Sequence, residues 1–333
     1  TKASDSVPAP KQKRLLLRFP QIFPVEKRSV IGSAPAAYGM APRANSQENR
    51  LRMPSAGLIL AITLATTLLA ENATIRIDIS QKEEHPIPKE FLGQFGEHLG
   101  CNVYNGQSAQ ILRNPGFEGW EYFNDGWELY LARQLLGLPD VTGGKDLGLA
   151  CFWLAEGDAR YELDTNAFNS KYAQRVEVLS QGGVRAPVTL PAHRTREYDV
   201  SFYARADRNV PCKVGIRNAS GEFLAQKTLT LRSREWRRYA TGLKLRGNVP
   251  KGAVFELVIS VEKPGTVWFD QAALFPRDNI DGLDPDLLAV MRELNVALLR
   301  FPGGNFVSGY HWKDGVGPLE KRITKPNPAW GGD

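Results

Sequence analysis

The feature that most limits what this chain can fold into is a succession of short segments in which apolar and polar residues alternate. They occupy residues 173–179, 198–206, 212–217, 223–231, 236–245, 253–261 and 266–275. A period of two puts every second side chain on one face, so each segment reads as a strand with one buried face. Turn-forming pairs punctuate them: Gly182-Gly183, Arg208-Asn209, Ser220-Gly221 and Pro264-Gly265. No long amphipathic helical pattern intervenes after about Leu138. Regular short strands across residues 115–276 predict an all-β sandwich.

The flanks have a different character. Residues 73–80 alternate (Ile75, Ile77, Ile79) and fit a half-buried strand, which Pro86 and Pro88 interrupt. Residues 91–99, FLGQFGEHL, read as a buried strand ending at a polar tip. Beyond residue 277, Asp284-Pro285-Asp286 is a helix start: an acidic cap, proline in the first turn, then a second acid. Leu287, Leu288, Val290, Met291 and Leu294 supply the apolar face, and Asn295 can end the helix. Residues 296–301, VALLRF, then form a continuous apolar run closed by Pro302-Gly303-Gly304. A helix followed by a buried strand is one step of a parallel α/β fold. No later strand follows before Asp333, so a complete barrel of roughly 250 residues is not expected.

The net charge of +6 invites a nucleic-acid reading until it is located. Residues 1–52 hold ten Lys and Arg against three Asp and Glu; the remainder is nearly balanced, 32 against 33. The excess belongs to a Pro-, Ser- and Ala-rich leader, so the folded part gives no electrostatic reason to expect nucleic acid. Residues 1–52 read as disordered or as sequence upstream of a start at Met40 or Met53. Arg50 and Arg52 precede an unbroken run of small and apolar residues, 56–70, too short for a membrane span of about 20 residues. Residues 53–70 therefore read as a secretory signal peptide, predicting a secreted protein, extracellular or periplasmic, with no stable membrane anchor. Cys101, Cys151 and Cys212 are too few and too scattered for a disulfide framework.

Two segments carry a specific resemblance. One is Gly93-Gln94-Phe95-Gly96-Glu97-His98-Leu99-Gly100. The other is RFPGGNF, residues 300–306, continued by YHWKDGVGP, residues 310–318, and closed by PAWGG, residues 328–332. The second block resembles the α-L-arabinofuranosidases of glycoside hydrolase family 51; the first is similar to the end of that family's first barrel strand. The resemblance implies a multidomain α/β plus all-β protein: an incomplete (β/α)8 barrel, first strands only, with an inserted β-sandwich of jelly-roll, galactose-binding-like form. The divisions expected are a leader (1–52), signal peptide (53–70), first strand of the catalytic domain (71–114), carbohydrate-binding module (115–276), and a helix with the second barrel strand (277–333).

The resemblance also assigns roles. Glu97 matches a glutamate that accepts hydroxyls of the bound arabinofuranose; an ionised carboxylate accepts two or more. Arg300 matches an arginine beside the nucleophile, and Asn305 a sugar-binding asparagine. The plainer readings are a surface glutamate, a strand-end ion pair and a turn asparagine. Burying Arg300 would need a partner in any case. His311, Trp312 and Asp314 are candidates to line the pocket or only to brace it, while His98 reads as structural. Trp120, Trp127, Trp153, Trp236 and Trp268 are candidates to stack on sugars, though aromatics in such folds are more often core. Glu118 and Asp270 resemble positions that hold structural calcium in related modules, and oxygen ligands suit that ion; no other cofactor is expected. The family releases terminal arabinofuranosyl groups from arabinose-containing polysaccharides with retention, which needs two carboxyl groups about 5 Å apart. The resemblance places both on later barrel strands, so no catalytic residue is nominated here and the chain is expected to be an inactive fragment. The alternative is a non-catalytic carbohydrate-binding protein.

Overall fold

The computed structural model describes Ser80 and residues 85–98, 102–123, 127–232, 234–326 and 329. The expected leader, signal peptide and strand at 73–79 lie outside the described residues, as do Cys101 and residues 330–333. The described elements past Ser80 belong to one compact unit, Gln81–Asp333.

In chain order the elements are β1 (Gln94–Phe95), α1 (Trp127–Leu136), β2 (Leu154–Asp164), β3 (Ala173–Thr189), β4 (Glu197–Ala206), β5 (Val210–Arg217), β6 (Phe223–Leu231), β7 (Arg237–Lys244), β8 (Val254–Val261), β9 (Gly265–Pro276), α2 (Pro285–Glu293) and β10 (Leu299–Arg300). Strands β2 to β9 form one antiparallel sheet in the order β6-β5-β8-β3-β9-β4-β7, with β2 against β3. The edge strands β6 and β7 pack against each other without pairing, so the sheet folds over towards a barrel.

All seven alternating segments are strands. The expected turn at Gly182-Gly183 is not a turn: the pair lies inside β3, seventeen residues long. The first part of β3, residues 174–178, pairs with β9, and residues 182–189 pair with β8. Thus β3 is shared by both halves of the folded sheet. The glycines serve close approach rather than reversal: a Cβ on Gly183 would stand 2.0 Å from the Ile259 carbonyl oxygen. Strand β2, not foreseen at all, borders both halves and takes up the bend through an irregularity between Gly157 and Ala159.

Alternation explains the core. In β4, Tyr198, Val200, Phe202, Ala204 and Ala206 are buried on one face. They meet Val267, Phe269 and Leu274 of β9 and, from the other half, Ile216, Phe255, Leu257 and Ile259. Each large side chain so buried contributes roughly 1.5–3 kcal/mol. Residues 115–153 are not strands: they wrap the sheet with α1 and a second small core of Tyr122, Phe123, Ala132, Leu138 and Phe152. Trp153 is fully buried and stacked on Phe117 at 4.1 Å, so it belongs to the core and not to a sugar platform.

Before and after the sheet stand β1 and β10, paired in parallel with Gln94 opposite Leu299 and Phe95 opposite Arg300. Helix α2 begins where the sequence predicts: the Asp284 carboxylate accepts from the Asp286 and Leu287 amides, and Pro285 takes the first position. It ends beside Asn295, whose φ of 50° stops the helical run. The expectation of buried strands is wrong for the described residues: Phe95, Leu298, Leu299 and Phe301 are all exposed. Two strands and one helix leave an apolar face that no other described element covers. The unit is tied to the sheet by Arg194, which bridges Asp278 at 3.3 Å and the helix-capping Asp284 at 2.7 Å. The backbones leading into and out of the sheet are also bonded together: Ala109 N–H donates to Gly282 O, Asp284 N–H to Gln107 O, and Ile111 N–H to Leu274 O. Among the described residues no helix is long and apolar enough to cross a membrane.

Candidate functional site

The two motifs converge because their strands are parallel neighbours. The Phe95–Arg300 pairing brings the chain following β1 beside the chain following β10, at the same end of both strands. One Glu97 oxygen, Oε1, accepts the Phe306 amide at 3.2 Å. A Cβ on Gly304 would stand 2.0 Å from the Glu97 carboxyl, and Gly304 has φ of 66°. Only glycine there gives both the left-handed turn and the space for the carboxylate. A Cβ on Gly303 would meet the Phe95 ring at 2.7 Å. The Pro-Gly-Gly sequence is therefore fitted to β1 and its glutamate.

Asn305 is exposed beside this contact, its Oδ1 3.5 Å from the Ser308 hydroxyl. Arg300 is also exposed and lies over the Phe95 ring at 5.1 Å. It needs no buried counter-ion, unlike the expectation for an arginine inside an apolar strand. His98, one residue beyond Glu97, packs between the rings of Tyr104 and Phe306 at 5.2 and 5.3 Å. Burial, reinforced by the charge of Arg113, lowers its pKa to about 4, so it is neutral at ordinary pH. Trp312 is exposed with Lys313 over its ring, and Asp314 accepts Lys325 Nζ at 2.5 Å.

His98, Phe306 and His311 open onto a cavity of about 780 Å3 between residues 301–326 and the outer face of β4, β7 and β9. Tyr203, Gln271, Phe275 and Tyr310 also line it; the sequence reading passed over all four. Tyr310 stood in a quoted motif and carried a signal, whereas Gln271 carried none.

Glu118 and Asp270, 152 positions apart in the chain, are both completely buried and close enough for their charges to interact. Asp270 Oδ2 accepts the amides of Phe168 and Asn169 at 2.8 and 3.1 Å, and Oδ1 that of Gln271 at 2.7 Å. Glu118 Oε1 accepts the Lys171 amide at 3.2 Å. Burial pushes the Asp270 carboxyl up to about 8; the amide donors oppose the rise and Glu118 adds to it. Four non-glycine residues around the pair have left-handed backbones: Asn114, Phe117, Ser170 and Gln271. Among the described residues no third acidic, histidine or cysteine side chain completes a metal cluster, so further oxygens for a cation would have to be backbone carbonyls.

Of the tryptophans, Trp236 and Trp268 lie on the outer face of the β4–β9 half with Tyr203 and Phe168. Phe168 stacks on Tyr203 at 3.7 Å, and Arg205 covers Trp268 at 4.1 Å. Trp120 donates to the Leu149 carbonyl at 2.7 Å; the Trp127 side chain lies outside the described residues.

The profile of the family described as "Alpha-L-arabinofuranosidase 1 domain" matches residues 290–333. Alpha-L-arabinofuranosidase 1 of Arabidopsis thaliana is 24% identical over 290 residues, 77% of this chain and 38% of that protein. An intracellular exo-alpha-(1->5)-L-arabinofuranosidase of Bacillus subtilis is 47% identical over 55 residues, 16% of this chain and 11% of its own length. Among solved structures, the arabinose-bound MgGH51 α-L-arabinofuranosidase aligns with a TM-score of 0.56 at 18% identity, covering 73% of this chain and 40% of that one. At that identity the structural likeness speaks for the fold alone. Residues 290–333, which carry one of the two strand tips, are thus similar to a domain of the α-L-arabinofuranosidases. The chain is similar in sequence to α-L-arabinofuranosidases and in fold to one of glycoside hydrolase family 51. The chain spans about two fifths of the length of the full-length relatives it matches most broadly.

Proposed function

We propose that this chain forms the sugar-holding part of an enzyme that releases terminal α-L-arabinofuranosyl groups from arabinose-containing polysaccharides with retention. The observation that carries the reading is the Glu97 carboxylate seated on the Gly304–Phe306 backbone across neighbouring parallel strands. Among the described residues no donor is bonded to its second oxygen, which can accept sugar hydroxyls, and the exposed Asn305 amide beside it both donates and accepts. Retention requires two carboxyl groups roughly 5 Å apart. Glu97 alone does not supply that pair, so the reading assigns acid/base and nucleophile to parts of such an enzyme outside residues 1–333, on a barrel that β1, α2 and β10 begin. Arg300 would orient the nucleophile, and His311 and Trp312 would border the sugar. Two measurements test this on the chain as it stands. It should bind L-arabinose, and Glu97→Ala should abolish binding; it should not turn over 4-nitrophenyl α-L-arabinofuranoside. Clear turnover, or undiminished binding by the variant, refutes the assignment.

A second reading, carbohydrate binding without catalysis by the folded sheet, draws on the half-buried group of Phe168, Tyr203, Trp236 and Trp268. Retention of a polysaccharide by Glu97→Ala with no arabinose binding would favour it. The run at residues 56–70 supports export from the cell. The buried Glu118 and Asp270 fit one structural calcium in charge and ligand type: hard oxygens on opposite segments, which the ion would hold together.

A further inference from the structure

Residues 311–325 carry His311 and Trp312 on short 3-10 turns and, from Arg322 on, form neither helix nor strand. Such a stretch has no ladder for its backbone groups, so its place must be fixed by other contacts. Part of the fixing is internal. Asp314 N–H donates to the His311 carbonyl at 2.8 Å, Arg322 Nε donates to Gly317 O at 3.0 Å, and Lys325 Nζ reaches Asp314 Oδ2 at 2.5 Å. These contacts close residues 311–325 into one loop.

The rest comes from the folded sheet. Asn169 and Ser170 stand in the connection between β2 and β3, 151 to 154 positions from their partners in the chain. The Asn169 side-chain amide donates to the carbonyls of Glu320 at 3.2 Å and Arg322 at 2.7 Å. The Ser170 hydroxyl accepts the Thr324 amide at 2.8 Å. Three hydrogen bonds thus hold three alternate residues of the segment. A tie is only as firm as its anchor, and this anchor is firm. Four consecutive amides of the anchoring connection are bonded: those of Phe168 and Asn169 to Asp270, that of Ser170 to Asn169 Oδ1 at 2.8 Å, and that of Lys171 to Glu118. Asp270 and Glu118 are completely buried. Ser170 has φ of 61°, a conformation a serine adopts only when its surroundings impose it. The buried carboxylates take the backbone, which leaves the Asn169 amide nitrogen and the Ser170 hydroxyl to hold residues 320–324.

We infer that Asn169 and Ser170 are positioning residues of the sugar site. They belong to the folded sheet, yet they set where residues 311–325 stand and, through them, where His311 and Trp312 meet the sugar. The inference rests on the arabinofuranosidase reading for what His311 and Trp312 border. Two variants of the whole chain test it, in chelator so that an added carboxylate recruits no cation. Asn169→Asp keeps the oxygen that accepts the Ser170 amide and removes both donors. Ser170→Gly accepts the left-handed backbone and removes only the hydroxyl. The readouts are L-arabinose affinity by titration calorimetry and amide exchange by mass spectrometry. Losing two hydrogen bonds, Asn169→Asp should weaken arabinose binding about tenfold; losing one, Ser170→Gly should weaken it about threefold. In both, exchange should quicken across residues 312–325 and stay slow in β3, β4 and β9, with the urea midpoint of the sheet unchanged. Should Asn169→Asp fail to fold, Ser170→Gly decides. Exchange that does not quicken across residues 312–325, or that quickens everywhere alike, overturns the tie. Quickened exchange with undiminished arabinose binding overturns the positioning role. A wild type that binds no arabinose would take the positioning role down with the sugar assignment, while the exchange still decides the tie.

Discussion

Replacing Asp270 by asparagine should change how stability depends on pH. The Asp270 carboxyl is completely buried, and its pKa rises from 3.8 to about 8 in the folded chain. Between those values the folded state keeps a proton that the unfolded chain has lost. The stability this contributes is fully present below 3.8, declines as pH rises and is gone above about 8. His98 acts in the opposite sense. Its pKa falls from 6.5 to about 4, so its contribution is present above 6.5 and lost as pH falls towards 4. The two oppose each other between about 4 and 6.5, which leaves 6.5 to 8 as the window in which Asp270 is seen without His98. Over about 1.5 pH units, at about 1.4 kcal/mol per unit, the chain should lose about 2 kcal/mol. Asp270→Asn holds a neutral amide at every pH and should lose none of it. Urea midpoints at pH 6.5, 7.2 and 8.0, in chelator, measure the difference. Parallel profiles for the two proteins would show that Asp270 is not held protonated and would sink the reasoning.

Calcium should reverse this behaviour. At pH 8, millimolar calcium should raise the melting temperature of the wild type and leave Asp270→Asn unmoved; no shift in the wild type would refute a calcium site. Gly304→Ala sets a methyl against the Glu97 carboxyl and forces an unfavourable backbone conformation, costing roughly 1–3 kcal/mol locally. Arabinose binding should be lost while the circular dichroism of the sheet is kept; normal binding would refute the fit. Arg194→Ala removes the bridge to Asp278 and Asp284, both ends of which are mostly buried, at about 2 kcal/mol. Amide exchange should quicken across residues 285–300 and stay slow in β8, whereas uniform quickening would show that the bridge holds the whole fold.

The strands of the folded sheet were legible because a two-residue period is imposed by the strand itself. What lay beyond local pattern was not. Gly182-Gly183 has the composition of a turn, yet it lies where two strands approach too closely for a side chain, a fact that belongs to β8 as much as to β3. VALLRF has the composition of a buried strand, but burial depends on what covers it, and among the described residues nothing does. In the site, Glu97 and Asn305 were readable from motifs, and the parallel pairing brings them together. The cavity was not readable, since Tyr203, Phe275 and Tyr310 come from three separate stretches.

The paired backbones at residues 107–111 and 274–284 have a mechanical consequence. A body hung on one strand of chain swivels freely, whereas one hung on two strands laced together by hydrogen bonds resists twisting and bends chiefly in one plane. Rotation of the folded sheet about its stalk would break these bonds, whereas a tilt towards or away from the tips of β1 and β10 would keep them. Any such movement would widen or narrow the groove along its length while keeping the same side chains opposite one another.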